Sequence, residues 1–357
     1  MWLKLLQAQN LRSFSRLDLN LSPGINFFVG ENGVGKTSIL EAVDVLSRGK
    51  SFRSSNLRNI VNFNASDLTL FTEIQQNSEN CVHMGVQYDS GKTDLRLNRK
   101  PVKKWSELAN HLPVIDIQPE SYLLITGGPI ERRKFLAWGT FHVEPSFLKY
   151  WVDYSRALKQ RNICLKEKKI QEAKHWHELL SMNGESIDRF FRDYLDQLIP
   201  HISELLSEFE LSEEIKFSYI PGFEGTSLND ELEKELLNQQ LPQFTRCGPH
   251  RADIKLQWNN QVFAKTSSRG QQKVLAIVLK LAQARLLLKE QNKASIYLID
   301  ELPAELDSKR CVSALNIINA HKSQALITSI SAERIENITK IDSKMFHVEP
   351  GKATEMV

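Results

Sequence analysis

One stretch, FFVGENGVGKTSILEAV at residues 27–43, limits what this chain can fold into more than any other. Ile25 to Val29 is an apolar, β-prone run of strand length. Residues 30–38, GENGVGKTS, fit G-x-x-x-x-G-K-[ST], with Gly30, Gly35, Lys36 and Thr37 in the fixed places. Past Thr37, apolar residues recur at Ile39, Leu40, Val43 and Leu46, a helical spacing. Strand, glycine-rich turn and helix in that order make a phosphate-binding loop, because turn amides and a helix N-terminus converge on one anion. Gly30, Glu31, Asn32, Gly33, Val34, Gly35 and Ser38 form the cradle, and its glycines let the backbone curl without Cβ clashes. Lys36 is placed to reach the β- and γ-phosphates and the Thr37 hydroxyl to ligate Mg²⁺. The implied chemistry is nucleotide binding.

The rest of the chain shows what kind of domain carries the loop. Residues 1 to about 125 read as strands and turns around one helix, with LRLNRKPVKKW as a hairpin turning at Asn98-Arg99-Lys100-Pro101. From about Ile130 to Gln240 helix formers dominate, with a break near Glu144-Pro145 and a strand-like interruption at IKFSYIPG. The segment NDELEKELLNQQLPQF reads as a further helix. From Thr245 onward strands and helices alternate again: a hairpin at 254–263, a long helix from Gln271 to Leu288, the buried strand ASIYLID, a helix at 309–319 and the strand SQALITS. Such alternation predicts an α/β fold with a largely parallel, covered sheet. The loop precedes the helical block and the later strands follow it. The expected ATPase domain is therefore discontinuous, 1–130 with 245–357, and 131–244 is an inserted, mainly helical lobe.

The second informative stretch is IYLIDELPAELDSKR, residues 296–310. Four apolar residues end in Asp300-Glu301, at the carboxyl edge of a buried strand, where ligands of open α/β sheets bind. Asp300 suits a Walker-B role toward Mg²⁺, and Glu301 is placed to orient or deprotonate an attacking water. Upstream, Ser268, Arg269, Gly270 and Gln271 open a long amphipathic helix, so a hydroxyl and free amides meet there as a second phosphate donor set.

Composition narrows the class. A net charge of +3 over 357 residues does not by itself indicate a nucleic-acid partner, so basic surface must come from clustering. Two clusters are candidates: Lys92, Arg96, Arg99, Lys100, Lys103 and Lys104 on the hairpin, and Arg156, Lys159, Arg161, Lys166, Lys168 and Lys169 in the lobe. Arg132-Arg133 and His250-Arg251 are further basic pairs. Cys81, Cys164, Cys247 and Cys311 form no C-x-x-C pair and are expected to be reduced thiols. His175-Trp176-His177 lacks further metal ligands at matching spacing and is expected on a surface helix. No segment is apolar enough to span a membrane and no signal-type start is present, so the cytoplasm is the expected location.

A phosphate loop, an S-x-G-Q helix start and a distant apolar strand ending in Asp-Glu resemble the ABC-type ATPase heads. That resemblance implies an ATP clamped between two copies. Ser268 and Gly270 would act on the partner's γ-phosphate, and Ala304-Glu305-Leu306-Asp307 would be the D-loop at the dimer interface. The ordered set LQAQNLRSFSRLDLNL, PESYLLITGGPIERRKFLAWGTFHVEPSF, CGPHRADI, SSRGQQK, IDELPAELDSKR and SISAER is similar to the RecF family of bacterial recombination mediators, nearly end to end. This implies a weak, DNA-stimulated ATPase that dimerises with ATP on duplex DNA or at single-strand/double-strand junctions and gaps. It also implies work with RecR and RecO in loading RecA on SSB-coated strands, in repair, replication maintenance and SOS induction. Gln118, in VIDIQPES, is the candidate Q-loop residue. Members often carry Asp where this chain has Glu301, whose longer side chain suits a general base. The alternatives are a soluble ATPase subunit of a transporter and an SMC-like structural complex. A helical insert of roughly one hundred residues is too large for the first and too short for the coiled-coil arms of the second.

Overall fold

Whether a strand alternates or is apolar throughout decides which sheet it joins. The computed structural model describes every residue except 78, 212–213, 226, 238–241, 337–340 and 357. Its first strands are β1 (Trp2–Leu11), β2 (Phe14–Asn20), β3 (Ile25–Val29), β4 (Asp67–Gln75), β5 (Cys81–Asp89), β6 (Lys92–Leu97), β7 (Lys100–Val102) and β8 (Val114–Ile117). There follow β9 (Ile215–Ile220), β10 (Asp253–Trp258), β11 (Gln261–Val262), β12 (Ile296–Ile299), β13 (Ala325–Ser329), β14 (Ser343–Glu349) and β15 (Lys352–Glu355). The principal helices are α1 (Lys36–Arg48), α2 (Pro129–Val143), α3 (Phe147–Lys166), α4 (His177–Glu208), α5 (Arg269–Gln291) and α6 (Ser308–Ala320).

Packing divides the chain into two units, Met1–Ser121 with Leu287–Val357, and Tyr122–Leu286. The first holds two six-stranded sheets among the described residues. One, ordered β15-β14-β3-β13-β12-β8, is parallel except for the β14–β15 hairpin. β3, β12 and β13 are buried at every position, as expected of strands covered on both faces. This is the predicted sheet. The other, ordered β2-β1-β4-β5-β6-β7, is wholly antiparallel. It supplies the antiparallel part of the expected mixed α/β fold. β4 and β5 alternate buried with half-buried or exposed residues, because only one of their faces meets the core.

That core lies around α1, which touches strands of both sheets. Phe14, Phe28, Leu40, Val43, Leu46, Leu70, Leu298 and Phe346 are among its members. Two carboxylates of α1 are carried into it with partners. Glu41 accepts from Arg12 at 2.8 and 3.1 Å, and Asp44 accepts from Arg48, which also reaches Asp116 at 3.1 Å. Removing either arginine would leave a buried, unpaired charge. The hairpin expected at Asn98 is present, with Asn98 and Arg99 both at positive φ (51° and 65°), the two-residue turn whose twist matches paired strands.

The second unit is mainly helical, α2, α3 and α4 with a three-stranded sheet β11-β10-β9. Its limits differ from the expected insert of 131–244. The pairing of β10 with β9 ties residues 253–258 to the helical block, so the segment from 245 to 286 is counted with it. The helix expected to reach residue 244 spans Leu228–Leu237, and its stretch 238–241 lies outside the described residues. His175-Trp176-His177 is not a surface helix throughout: Trp176 separates two helices and His177, the first residue of α4, is buried.

Candidate active site

In the first unit, β3 delivers the glycine-rich loop to the carboxyl edge of the parallel sheet. Gly30 packs so closely that a Cβ there would strike the Val348 carbonyl oxygen. Gly35 has φ 110°, and a Cβ would meet Phe14 and Ser13 at 2.8 Å. Both positions therefore exclude a side chain, and Gly35 also needs the left-handed backbone. Lys36 opens α1, and its ammonium is buried under the loop, donating to the carbonyls of Gly30 (2.7 Å) and Glu31 (3.0 Å).

β12 arrives two strands away, with β13 between them. Its Asp300 faces the Thr37 hydroxyl at 3.1 and 3.3 Å, and the Glu301 carboxylate lies 3.4 Å from Lys36 Nζ. The sheet thus brings together four residues singled out in the sequence, Lys36, Thr37, Asp300 and Glu301. Glu301 itself adopts the left-handed conformation (φ 55°, ψ 51°), uncommon for a residue with a long side chain. Its amide donates to Thr328 Oγ1 at 2.9 Å, and that hydroxyl donates to Asp300 at 2.7 Å. Thr328, at the end of β13, was not anticipated, nor was Arg53, whose guanidinium lies 3.8 Å from Asp300. Nothing in ALITS alone announces the first, whose role follows from β13 lying beside β12.

Gln118 follows β8, the neighbour of β12, and Ile117 pairs with Ile299. It is buried, and its side-chain nitrogen has no partner among the described residues. An unsatisfied buried amide costs on the order of 1–3 kcal/mol and suits a group held ready for a ligand. The loop amides, an ammonium, a hydroxyl, a carboxylate and this amide form a donor set that fits a magnesium-bound nucleotide triphosphate.

The second unit carries the S-x-G-Q start. Ser268 Oγ accepts from the Gln271 amide (3.2 Å), and Gln271 Oε1 accepts from the Ser268 amide (2.8 Å), a reciprocal capping box. Arg269 lies over the Tyr122 ring at 5.1 Å. Ser268, Arg269 and Gly270 are exposed.

The basic groups separate by burial. All six of the hairpin cluster are exposed. In the lobe cluster Arg161 is a correction, being fully buried, where it donates to Glu235 (3.0 Å), Thr245 (2.6 Å) and the Leu232 carbonyl. Its position in the apolar seam of α3 puts it inside, and the partners come from a segment 70 or more residues away. Arg132 grips Asp253 with two hydrogen bonds (2.6 and 3.1 Å), and Arg133 donates to the Ala252 carbonyl. His250 sits between the Tyr154 hydroxyl (2.6 Å) and the Thr245 carbonyl (3.1 Å).

Burial pushes His250 and His177 down to about 4 from the ordinary 6.5. The unfolded chain therefore takes up protons between those values that the folded unit refuses. This stabilisation is complete above pH 6.5 and drains away as pH falls to about 4. His250 alone accounts for on the order of 3 kcal/mol. The urea midpoint of the wild type should fall between pH 7 and 4.5, and less steeply in His250→Gln; equal slopes would contradict the buried neutral imidazole.

The parallel sheet, the glycine-rich loop and the paired strand-end acids define the class, a P-loop ATPase head. The RecF/RecN/SMC N terminal domain family matches residues 2–354. A DNA replication and repair protein RecF from Shewanella woodyi is 35% identical over 98% of this chain and 96% of its own. A solved recombination mediator protein RecF with ATP, from the RecFOR pathway, superposes with a TM-score of 0.89 at 25% identity, covering 99% of each chain. An Smc head solved with a ScpA winged-helix domain has the same fold (TM-score 0.60, 17% identity, 100% of this chain and 97% of that one). The chain belongs to the RecF family of DNA replication and repair proteins. The transporter and SMC-arm alternatives are not favoured by relatives that match end to end. No helix among the described residues is long and apolar enough to cross a membrane.

Proposed function

We propose that this chain is an ATP-gated DNA clamp, in which two heads close on ATP over duplex or gapped DNA and hydrolysis reopens them. Thr37 and Asp300 are the residues that would hold Mg²⁺, whose contribution is to neutralise charge on the β- and γ-phosphates. Lys36 binds the same phosphates, Gln118 would offer its unpartnered amide to the nucleotide, and Glu301 holds the attacking water and accepts its proton. Ser268, Arg269, Gly270 and Gln271 of the second copy cap the γ-phosphate, and the exposed start of α5 is what supports a role toward a partner. The convergence of Lys36, Thr37, Asp300 and Glu301 carries the reading as a whole. The exposed hairpin Lys92–Lys104 contacts DNA phosphates. The RecFOR pathway of a solved relative supports a place beside RecR and RecO, and loading of RecA in the cytoplasm is the role the family resemblance implies.

ATPase rate and sedimentation, each with and without gapped duplex, test the clamp. Both turnover and the dimer fraction should rise with DNA; no response of either removes the DNA-gated reading. Ser268→Arg should bind ATP with wild-type affinity yet stay monomeric, with turnover reduced to a few per cent. Hydrolysis at the wild-type rate would show that the serine does not act across subunits.

A further inference from the structure

The antiparallel sheet of the first unit carries a group of donors that the nucleotide site does not use. On β4 and β5, Glu73 stands directly opposite His83, and Cys81 lies two residues before His83 on the same strand. The period of two places all three on one face, the face away from the core, where each is half-buried. Carboxylate, thiol and imidazole donors lie within 4.8 Å of one another, with Glu73 Oε1 3.6 Å from His83 Nε2. The imidazole is oriented by stacking on Phe71 at 6.0 Å and 17°. Its backbone is fixed by the Asn98 side chain, which accepts from the His83 amide at 3.0 Å.

We propose that Glu73, Cys81 and His83 form a zinc site. Tetrahedral Zn²⁺, with bonds of ~2.0–2.3 Å, needs its donors roughly 3.3–3.8 Å apart. Contraction by about 1 Å from the observed spread is within reach of small χ rotations. A thiolate with an imidazole selects a borderline or soft ion and disfavours Mg²⁺, which takes all-oxygen sites. Three protein donors leave a fourth position open to water or to another ligand. The ion ties β4 to β5 beside the last pair before their connection, Gln75 with Cys81, and so stabilises the folded unit by mass action.

The test uses the full chain, stripped with a chelator and kept reduced. Zn²⁺ should bind at one per chain in competition with a chromophoric chelator, without displacement by excess Mg²⁺. Co²⁺ should give a thiolate charge-transfer band that Cys81→Ser abolishes. His83→Ala keeps the thiol, so alkylation of Cys81 reads the site in that variant while the buried cysteines read its fold. Zn²⁺ should slow alkylation at least tenfold in the wild type and not in His83→Ala, while the buried Cys164, Cys247 and Cys311 stay unreactive in both. Unchanged zinc affinity in both variants, no cobalt band in the wild type, or equal protection in His83→Ala would each overturn the site and leave Glu73–His83 as an ordinary ion pair.

Discussion

Lys36→Ala is expected to abolish measurable ATP binding while leaving the chain folded. The ammonium lies under the glycine loop, 2.7 and 3.0 Å from the Gly30 and Glu31 carbonyls, and a bound triphosphate would exchange these neutral partners for charged ones. Hydrogen bonds to charged groups are worth roughly 1.5–3 kcal/mol each, so losing two of them weakens binding by about a hundredfold or more. The Glu31 carbonyl can turn to water, since that residue is exposed. Titration with a fluorescent ATP analogue checks the result, and a melting curve without nucleotide checks the fold. Affinity within a few-fold of wild type would sink the assignment of the loop.

Glu301→Gln should bind ATP at least as tightly as wild type and turn it over some 10²- to 10⁴-fold more slowly, the range for loss of a general base. Two features of the site argue for both halves. An amide cannot take the proton from water, and the substitution removes a negative charge 3.4 Å from Lys36, where phosphate charge would otherwise meet repulsion. Gln adopts the left-handed backbone about as readily as Glu, so the hydrogen bond from residue 301 to Thr328 survives. With ATP the variant should accumulate as a dimer in sedimentation. Turnover within threefold of wild type would remove Glu301 from the role of base.

The parts of this site written as local pattern were legible before any coordinates. Strand, loop and helix around Lys36 follow from a fixed motif, and Asp300-Glu301 from an apolar run that ends in two acids. Gln118 was placed by its strand, but its unpartnered nitrogen is a property of packing. Thr328 and Arg53 were missed because their role depends on which strands lie side by side, and register between distant segments is not encoded in either segment alone. Arg161 shows the same limit. A basic residue among lysines reads as solvent-facing until its helix phase and its distant partner Glu235 are known. The antiparallel sheet, in contrast, could have been found. DLTLFTEIQ and CVHMGVQYD alternate cleanly, a period that a doubly covered strand would not show.

The placement of β3 has a consequence for how the chain is made. Its two neighbours, β13 and β14, both come from the last part of the sequence. During synthesis at roughly 5–20 residues per second, β3 waits some 15–60 s for its first partner, roughly 300 residues on. Until then INFFV is an apolar strand with two bare edges, the kind of segment that pairs with strangers. The antiparallel sheet is completed and the helical unit translated within that interval, and both can form first. The nucleotide loop therefore leaves the ribosome well before the strands that seat it, and the newborn chain depends on those later strands, or on a chaperone, to keep β3 from aggregating.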